Sequence, residues 1–296
     1  ARSDLSDREG CLRKFAAQVV NRREQLIEAL CAETGKARWA AEREIEEIGA
    51  RVENELKEGS ASLAVPKVGG LRHAVEGRGR HRPLGVMAIL GTASSPLAQA
   101  CHAVTPALLA GNTIVFKPTK LTPACGPLMA EMIDEADFPQ GVFNFLQGDA
   151  ALGLELVARP EVDGVWFSGS LQAGRRVLKA AADPLRKMVA LHLSGLNAVL
   201  VLDDADLDRA VYHCALGAFI GSGQSMSATS LVLVDQRVFE TFAHAFVDAV
   251  DAMKVGYGMD AGVFMGPVYS EMALERNLDR QARLKAAGAR DLLGAK

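Results

Sequence analysis

The stretch GAFIGSGQSMSATS, residues 217–230, has the outline of a catalytic loop, with small residues, a Gly223-Gln224 pair and a flexible approach. The position where a nucleophile is sought holds Met226. A thiol with a pKa of about 8.5 is readily ionised to an attacking thiolate; a thioether sulfur has no proton to lose. Two other segments carry ligand-binding chemistry. FSGSLQAG, 167–174, follows one apolar run and opens a helical one. Gly169 and Gly174 permit close backbone approach, and Ser170 offers a hydroxyl beside a helix N-terminus, which suits a phosphate. FKPTKLTP, 116–123, ends another apolar run with Lys117, where a ribose or phosphate can sit. Taken singly, these signals are weak. A Gly-Ser turn between strand and helix is common, and a loop lysine is ordinarily solvated.

The elements that position these residues are read from periodicity. Leu12, Phe15, Val19, Leu26, Ile27 and Leu30 recur at helical spacing and predict one helix over 11–33, stopped by Gly35. A second helix is expected over about 38–58. Residues 59–82 combine glycines with a basic cluster (Arg72, His73, Arg78, Arg80, His81, Arg82) and read as an extended arm or hairpin with a solvated face. From Pro83 the texture changes. GVMAILG, NTIVFKP, VFNFLQG, GVWFSGS and AVLVLDD are β-rich runs, separated by helical stretches at 97–110, 124–136, 150–158, 172–182 and 206–220. Strands alternating with helices predict a parallel sheet covered on both faces, with ligands at the carboxyl ends of its strands.

The gross numbers exclude several classes. A net charge of −3 gives no electrostatic case for nucleic acid or an anionic membrane. No apolar run reaches the roughly 18–20 residues a bilayer span needs. Five cysteines (Cys11, Cys31, Cys101, Cys125, Cys214) stand without CxxC or metal-ligand spacing, so no metal is expected. Their scatter, with no secretory leader, points to reduced thiols and a cytoplasmic protein.

Read together, the motifs cease to be weak. RPLGVMAILG, TPALLAGNTIVFKPTKLTP, DFPQGVFNFLQG, GVWFSGSLQAG, LHLSGLNAVLVLDDADLDRAV, GAFIGSGQ and KVGYGMDAGVFMGPVYSE follow one another in this order. The series resembles the aldehyde dehydrogenase superfamily, with wording closest to its succinylglutamate-semialdehyde dehydrogenase branch. The resemblance implies an α/β fold: a Rossmann-type parallel-sheet domain, an α/β catalytic domain and an extended oligomerisation arm. On that pattern 1–58 is the helical part of the dinucleotide-binding domain, 59–82 the arm, 83–190 the Rossmann-like sheet and 191–296 a partial catalytic domain. The family's catalytic domain continues further, so the chain is expected to be a fragment or a truly shortened protein.

The resemblance also implies a mechanism in which a cysteine thiolate attacks an aldehyde, hydride passes to NAD(P)+ and a glutamate activates water, while an asparagine holds the oxyanion. Carried over residue by residue, the nucleophile position is Met226, the general-base position His192 in LHLSG, and the oxyanion position Ser94 in TASSP. The register holds outside these sites: Lys117 lies 23 residues after Ser94, and Met226 lies 34 after His192. Loss of one oxyanion donor alone costs about 10²–10³ in rate. Cys214, twelve residues upstream of Met226, is expected as a buried structural thiol. The cofactor side is better kept, with Lys117, Pro118, Gly169, Ser170 and Gly174 at positions that hold ribose and pyrophosphate. The family's ribose-binding glutamate is Lys120 here, which favours NADP over NAD or marks lost binding.

These readings predict a family member without standard NAD(P)-dependent aldehyde oxidation, acting as a structural or regulatory subunit. Its expected partners are copies of itself, an active paralogue or another protein. Two alternatives stand beside this reading. One is a divergent semialdehyde oxidoreductase; the other is a hydrolase pairing Ser225 or Ser227 with His192. For the hydrolase no residue orienting the imidazole is evident, and His192 is expected as a buried, hydrogen-bonded histidine.

Overall fold

An acidic residue opens the first helix: the Asp4 N–H donates to the Asp7 carboxylate at 3.2 Å, and α1 runs Leu5–Asn21. It buries Leu12, Phe15 and Val19. The computed structural model describes residues 3–64, 67–72, 75–182 and 187–293. The single helix expected over 11–33 is two. Arg22 leaves helical geometry (φ −101°, ψ 15°) before α2, Arg23–Thr34, begins. The Arg22 guanidinium pairs with two carboxylates, Glu131 at 2.7 Å and Glu135. The apolar spacing continues through the break, so periodicity does not report it. α3 spans Arg38–Asn54 and loosens into a π turn over Glu55–Gly59, then α4, Ser60–Ser62. A Cβ on Gly59 would lie 2.5 Å from the Glu55 carboxylate, so glycine lets this wider turn close.

The basic arm forms a hairpin: β1, Lys67–Arg72, pairs antiparallel with β2, Val75–Arg78. His73 and the side chains of Arg72 and Arg78 lie outside the described residues; Arg80, His81 and Arg82 are exposed.

Strand and helix then alternate: β3 Val86–Leu90, α5 Ala98–Leu109, β4 Thr113–Lys117, α6 Cys125–Asp134, β5 Phe143–Phe145, α7 Ala150–Ala158, β6 Gly164–Gly169, α8 Leu171–Ala180 and β7 Met188–Leu193. All five strands are parallel, in the order β5-β4-β3-β6-β7. Side chains of period two bury both faces. Ala88 and Leu90 turn toward a core with Val157, Val165 and Val177, from α7, β6 and α8. Met87 and Ile89 alternate with them, and α5 packs on β3 and β4. Periodicity does not mark β7. It is the edge strand among the described residues, and Met188 and His192 on it are exposed.

The remaining strands, β8 Asn197–Val201 and β9 Thr229–Val234, form a two-stranded parallel sheet. α9, Leu207–Phe219, and α10, Phe239–Asp251, supply Val211, Cys214 and Phe242 to a core with Val201. A 3-10 turn, Ile220–Gly223, follows α9, and α11 spans Glu271–Ala286. Contacts divide the chain into two compact units. One holds the chain through Leu26 with Arg43–Leu193; the other holds Ile27–Glu42 with the chain from Ser194. Among the described residues no helix is long and apolar enough to cross a membrane.

Candidate functional site

The strand order fixes where a ligand can enter the first unit. The chain winds from β3 outward to β4 and β5, then returns to the other side of β3 with β6 and β7. The direction reverses between β3 and β6, and the crevice beyond the carboxyl ends of strands at such a switch point is the usual ligand site of an open α/β sheet. Ser94, Lys117, Pro118, Lys120, Gly169, Ser170 and His192 all lie at this carboxyl edge, and Gly174 sits one turn into α8. Lys117 and Phe167 both register with Leu90, so the ends of β4 and β6 stand about 10 Å apart, two strand spacings.

The turn after β6 ends in a capped helix N-terminus, an arrangement that suits an anion. Ser170 caps α8: its hydroxyl oxygen accepts the Ala173 N–H at 3.2 Å. The first turn of α8 carries no acidic residue, and its leading N–H groups have no partner within the helix. A Cβ on Gly174 would approach Leu193 to 2.6 Å, so glycine seats α8 against β7.

Lys117 is 6% exposed, and its ammonium donates to the carbonyls of Pro118 and Gly148, each at 2.8 Å. Burial pushes its pKa down. Lys120 is exposed. The Asp149 carboxylate caps α7 and is held below its ordinary range by the Leu152 N–H it accepts, with further help from Lys120 and Lys117. Two cations and one carboxylate therefore share the rim after β4 and β5.

Ser94 is buried in the loop after β3, its hydroxyl 3.5 Å from that of Thr92. His192 is exposed, contrary to the buried histidine expected, because its strand has no neighbour beyond it among the described residues. It is nonetheless held. Nδ1 lies 3.2 Å from Gln99 Oε1, and the ring tilts against Trp166 with centroids 6.1 Å apart. Gln99 is a neighbour of the imidazole that sequence reading did not find. It stands 93 positions away, in the first turn of α5, and no local pattern marks it.

In the second unit the loop around Met226 is tightly tied. Gly221, Ser222 and Gly223 take left-handed backbone (φ 59°, 61° and 67°) and reverse the chain after α9. Gln224 acts as a staple: its amide donates to Thr34 O at 3.0 Å and accepts the Tyr269 N–H at 2.8 Å. Asn197 donates to the carbonyls of Met226 (2.8 Å) and Ala228 (3.0 Å). The Ser225 and Ser227 hydroxyls lie 3.0 Å apart and bond to one another. Cys214 is buried on α9 as expected, its thiol pushed up by desolvation. Among the described residues no group of His, Cys, Asp and Glu is gathered to hold a metal ion.

The first unit is thus an open parallel sheet with a capped helix N-terminus at its switch point. The chain belongs to the aldehyde dehydrogenase family, whose profile matches residues 1–296. It is 36% identical over 293 residues to the N-succinylglutamate 5-semialdehyde dehydrogenase of Erwinia tasmaniensis, a match covering 97% of this chain and 58% of that protein. It is 34% identical to the Paraburkholderia xenovorans protein of the same name, covering 98% and 60%. An Escherichia coli NADP-dependent enzyme superposes with a TM-score of 0.95 at 30% identity, covering all of this chain and 61% of that one. Betaine aldehyde dehydrogenase of Staphylococcus aureus, in complex with NAD+, gives 0.93 at 29% identity, covering 98% and 57%. The chain thus spans about three fifths of the length of these relatives.

Proposed function

We propose that the first unit binds NAD or NADP along its carboxyl edge and that the chain does not perform cysteine-dependent aldehyde oxidation. The residues present fit the cofactor. The α8 N-terminus, with Gly169, Ser170 and Gly174, would receive the pyrophosphate. Lys117 and Pro118 would receive the adenosine ribose, and the Lys120 cation suits a 2′-phosphate, hence NADP. Bound there, the dinucleotide would supply a hydride acceptor. The observation that carries the negative half is Met226, held by Asn197 in a well-tied loop with no thiol at its position. With His192 and Ser94 at the positions of base and oxyanion donor, none of the three groups the reaction needs is present. The protein then acts as a structural or regulatory subunit, paired with copies of itself or with an active paralogue.

A second reading, a divergent NAD(P)-dependent semialdehyde oxidoreductase, is favoured by the relatives, which carry the name of semialdehyde dehydrogenases. Under it another group must replace the thiolate. The Ser–His hydrolase has less support, because the Ser225 and Ser227 hydroxyls are engaged with each other. The discriminating experiment supplies aliphatic semialdehydes with NAD+ or NADP+ and follows reduced cofactor. The first reading expects none above background, in wild type and Met226→Ala alike. Aldehyde-dependent reduction by the pure wild-type chain establishes the second reading.

A further inference from the structure

The basic run before β3 takes no part in the carboxyl edge. Arg80, His81 and Arg82 instead wall a cleft at the opposite, amino edge of the five-stranded sheet, where residues 85–86 enter β3 and 110–113 enter β4. The start of α1 forms another wall, and the cavity measures about 1070 Å³. A narrower cavity of about 270 Å³ adjoins it, sharing Arg8 and Asn112; its further lining includes the apolar Leu108, Phe138, Pro139 and Val142. Arg8 stands where the two meet. Its guanidinium donates to the carbonyls of Leu109 at 2.7 Å and Ser3 at 2.5 Å, so it is fixed by neutral partners. Among the described residues no carboxylate pairs with Arg8, Arg80 or Arg82. The carboxylates on the lining are engaged: Asp4 and Asp7 close the cap of α1, and Asp137 takes the Lys14 ammonium at 2.5 Å.

We propose that this cleft binds a phosphate monoester with a short apolar body, its phosphate beside Arg8, Arg80 and Arg82 and its body in the narrow cavity. The head group follows from the donors. Guanidinium groups pair with oxyanions through parallel N–H donors. Three of them, from two walls, exceed what the two oxygens of one carboxylate can use; a phosphate monoester brings three terminal oxygens and close to two negative charges. The body follows from the narrow end, where apolar side chains from α5 and from the loop before β5 leave room that a bare phosphate does not fill. Arg8 supplies the fixed contact, and the exposed Arg80 and Arg82 supply charge at the mouth. The site is separate from dinucleotide binding, because the two lie at opposite ends of the strands.

Calorimetric titration of the purified chain with octyl phosphate, kept below the concentration at which it forms micelles, should show saturable binding. Affinity should rise from the butyl through the hexyl to the octyl ester. It should exceed that of inorganic phosphate by at least about tenfold, which burial of two methylene groups supplies. Octanol, the body without the charge, should bind at least about tenfold more weakly than the ester. Arg80→Gln combined with Arg82→Gln, both on an exposed segment and so without effect on folding, should weaken octyl phosphate about tenfold and flatten its dependence on salt. Gly174→Val, which disturbs the carboxyl edge, should leave its affinity unchanged. No saturable binding, inorganic phosphate or octanol bound as tightly as octyl phosphate, equal affinity in the arginine double variant, or loss of affinity in folded Gly174→Val protein overturns the proposal.

Discussion

The carboxyl edge of the five-stranded sheet and the loop around Met226 are both well built, yet they differ in what they can do. The edge keeps groups that act through backbone and charge: a capped helix N-terminus, two close-packed glycines and a buried lysine. The loop keeps a fixed geometry. Gln224, Asn197 and three left-handed residues hold it in place, and the side chain so presented is a thioether. Binding by backbone N–H groups depends on fold and survives many substitutions. Nucleophilic attack depends on one atom and survives none. A conserved architecture is therefore good grounds for expecting binding and poor grounds for expecting a reaction.

The comparison is broken most severely by removing the scaffold under the edge. Phe116, 1% exposed and tilted against Phe143, registers with Ile89 on β3. Phe116→Ala should cost about 3–5 kcal/mol, seen as a lower urea midpoint, and should remove any dinucleotide binding with it. Gly174→Val is a smaller but sharper probe. Its added carbons collide with Leu193, at a cost of about 1–3 kcal/mol. It should abolish dinucleotide binding while circular dichroism still reports a folded chain; unchanged affinity would remove α8 from the site.

In the loop, Asn197→Ala removes the amide that donates to the carbonyls of Met226 and Ala228. A loss of about 1–2 kcal/mol is expected, with dinucleotide affinity unchanged. The smallest effect lies further along the same unit. Arg237 donates to the Asp235 carboxylate and lowers its pKa to about 2. A carboxylate depressed on folding stabilises the native state above its unfolded pKa of about 3.9 and loses that contribution as pH falls through the folded value. Arg237→Ala should move the Asp235 titration, followed by carboxyl NMR, back toward ordinary aspartate.

Most of the sheet was legible because buried parallel strands read as short apolar runs: GVMAILG and GVWFSGS mark β3 and β6, and α7 falls on 150–158 as expected. Elements shaped by distant partners were not. At the break, Arg22 pairs with Glu131 and Glu135, more than a hundred positions away, while the apolar spacing passes through it undisturbed. β7 and β9 carry exposed side chains, as β8 does. At the site, the glycines and Ser170 announced themselves through local turn chemistry. Gln99 on α5 could not, since its contact exists only with a side chain on β7. His192 was placed but misjudged as buried, for the same reason: exposure is decided by which strand lies at the edge.

The central proposal, that the carboxyl edge of the five-stranded sheet binds a dinucleotide, is tested most directly by calorimetric titration of the purified chain with NAD+ and NADP+. Saturable binding, tighter for NADP+ and weakened by Lys120→Glu, is the result this account predicts. Heats no larger than dilution for both dinucleotides, from protein shown to be folded, would contradict it.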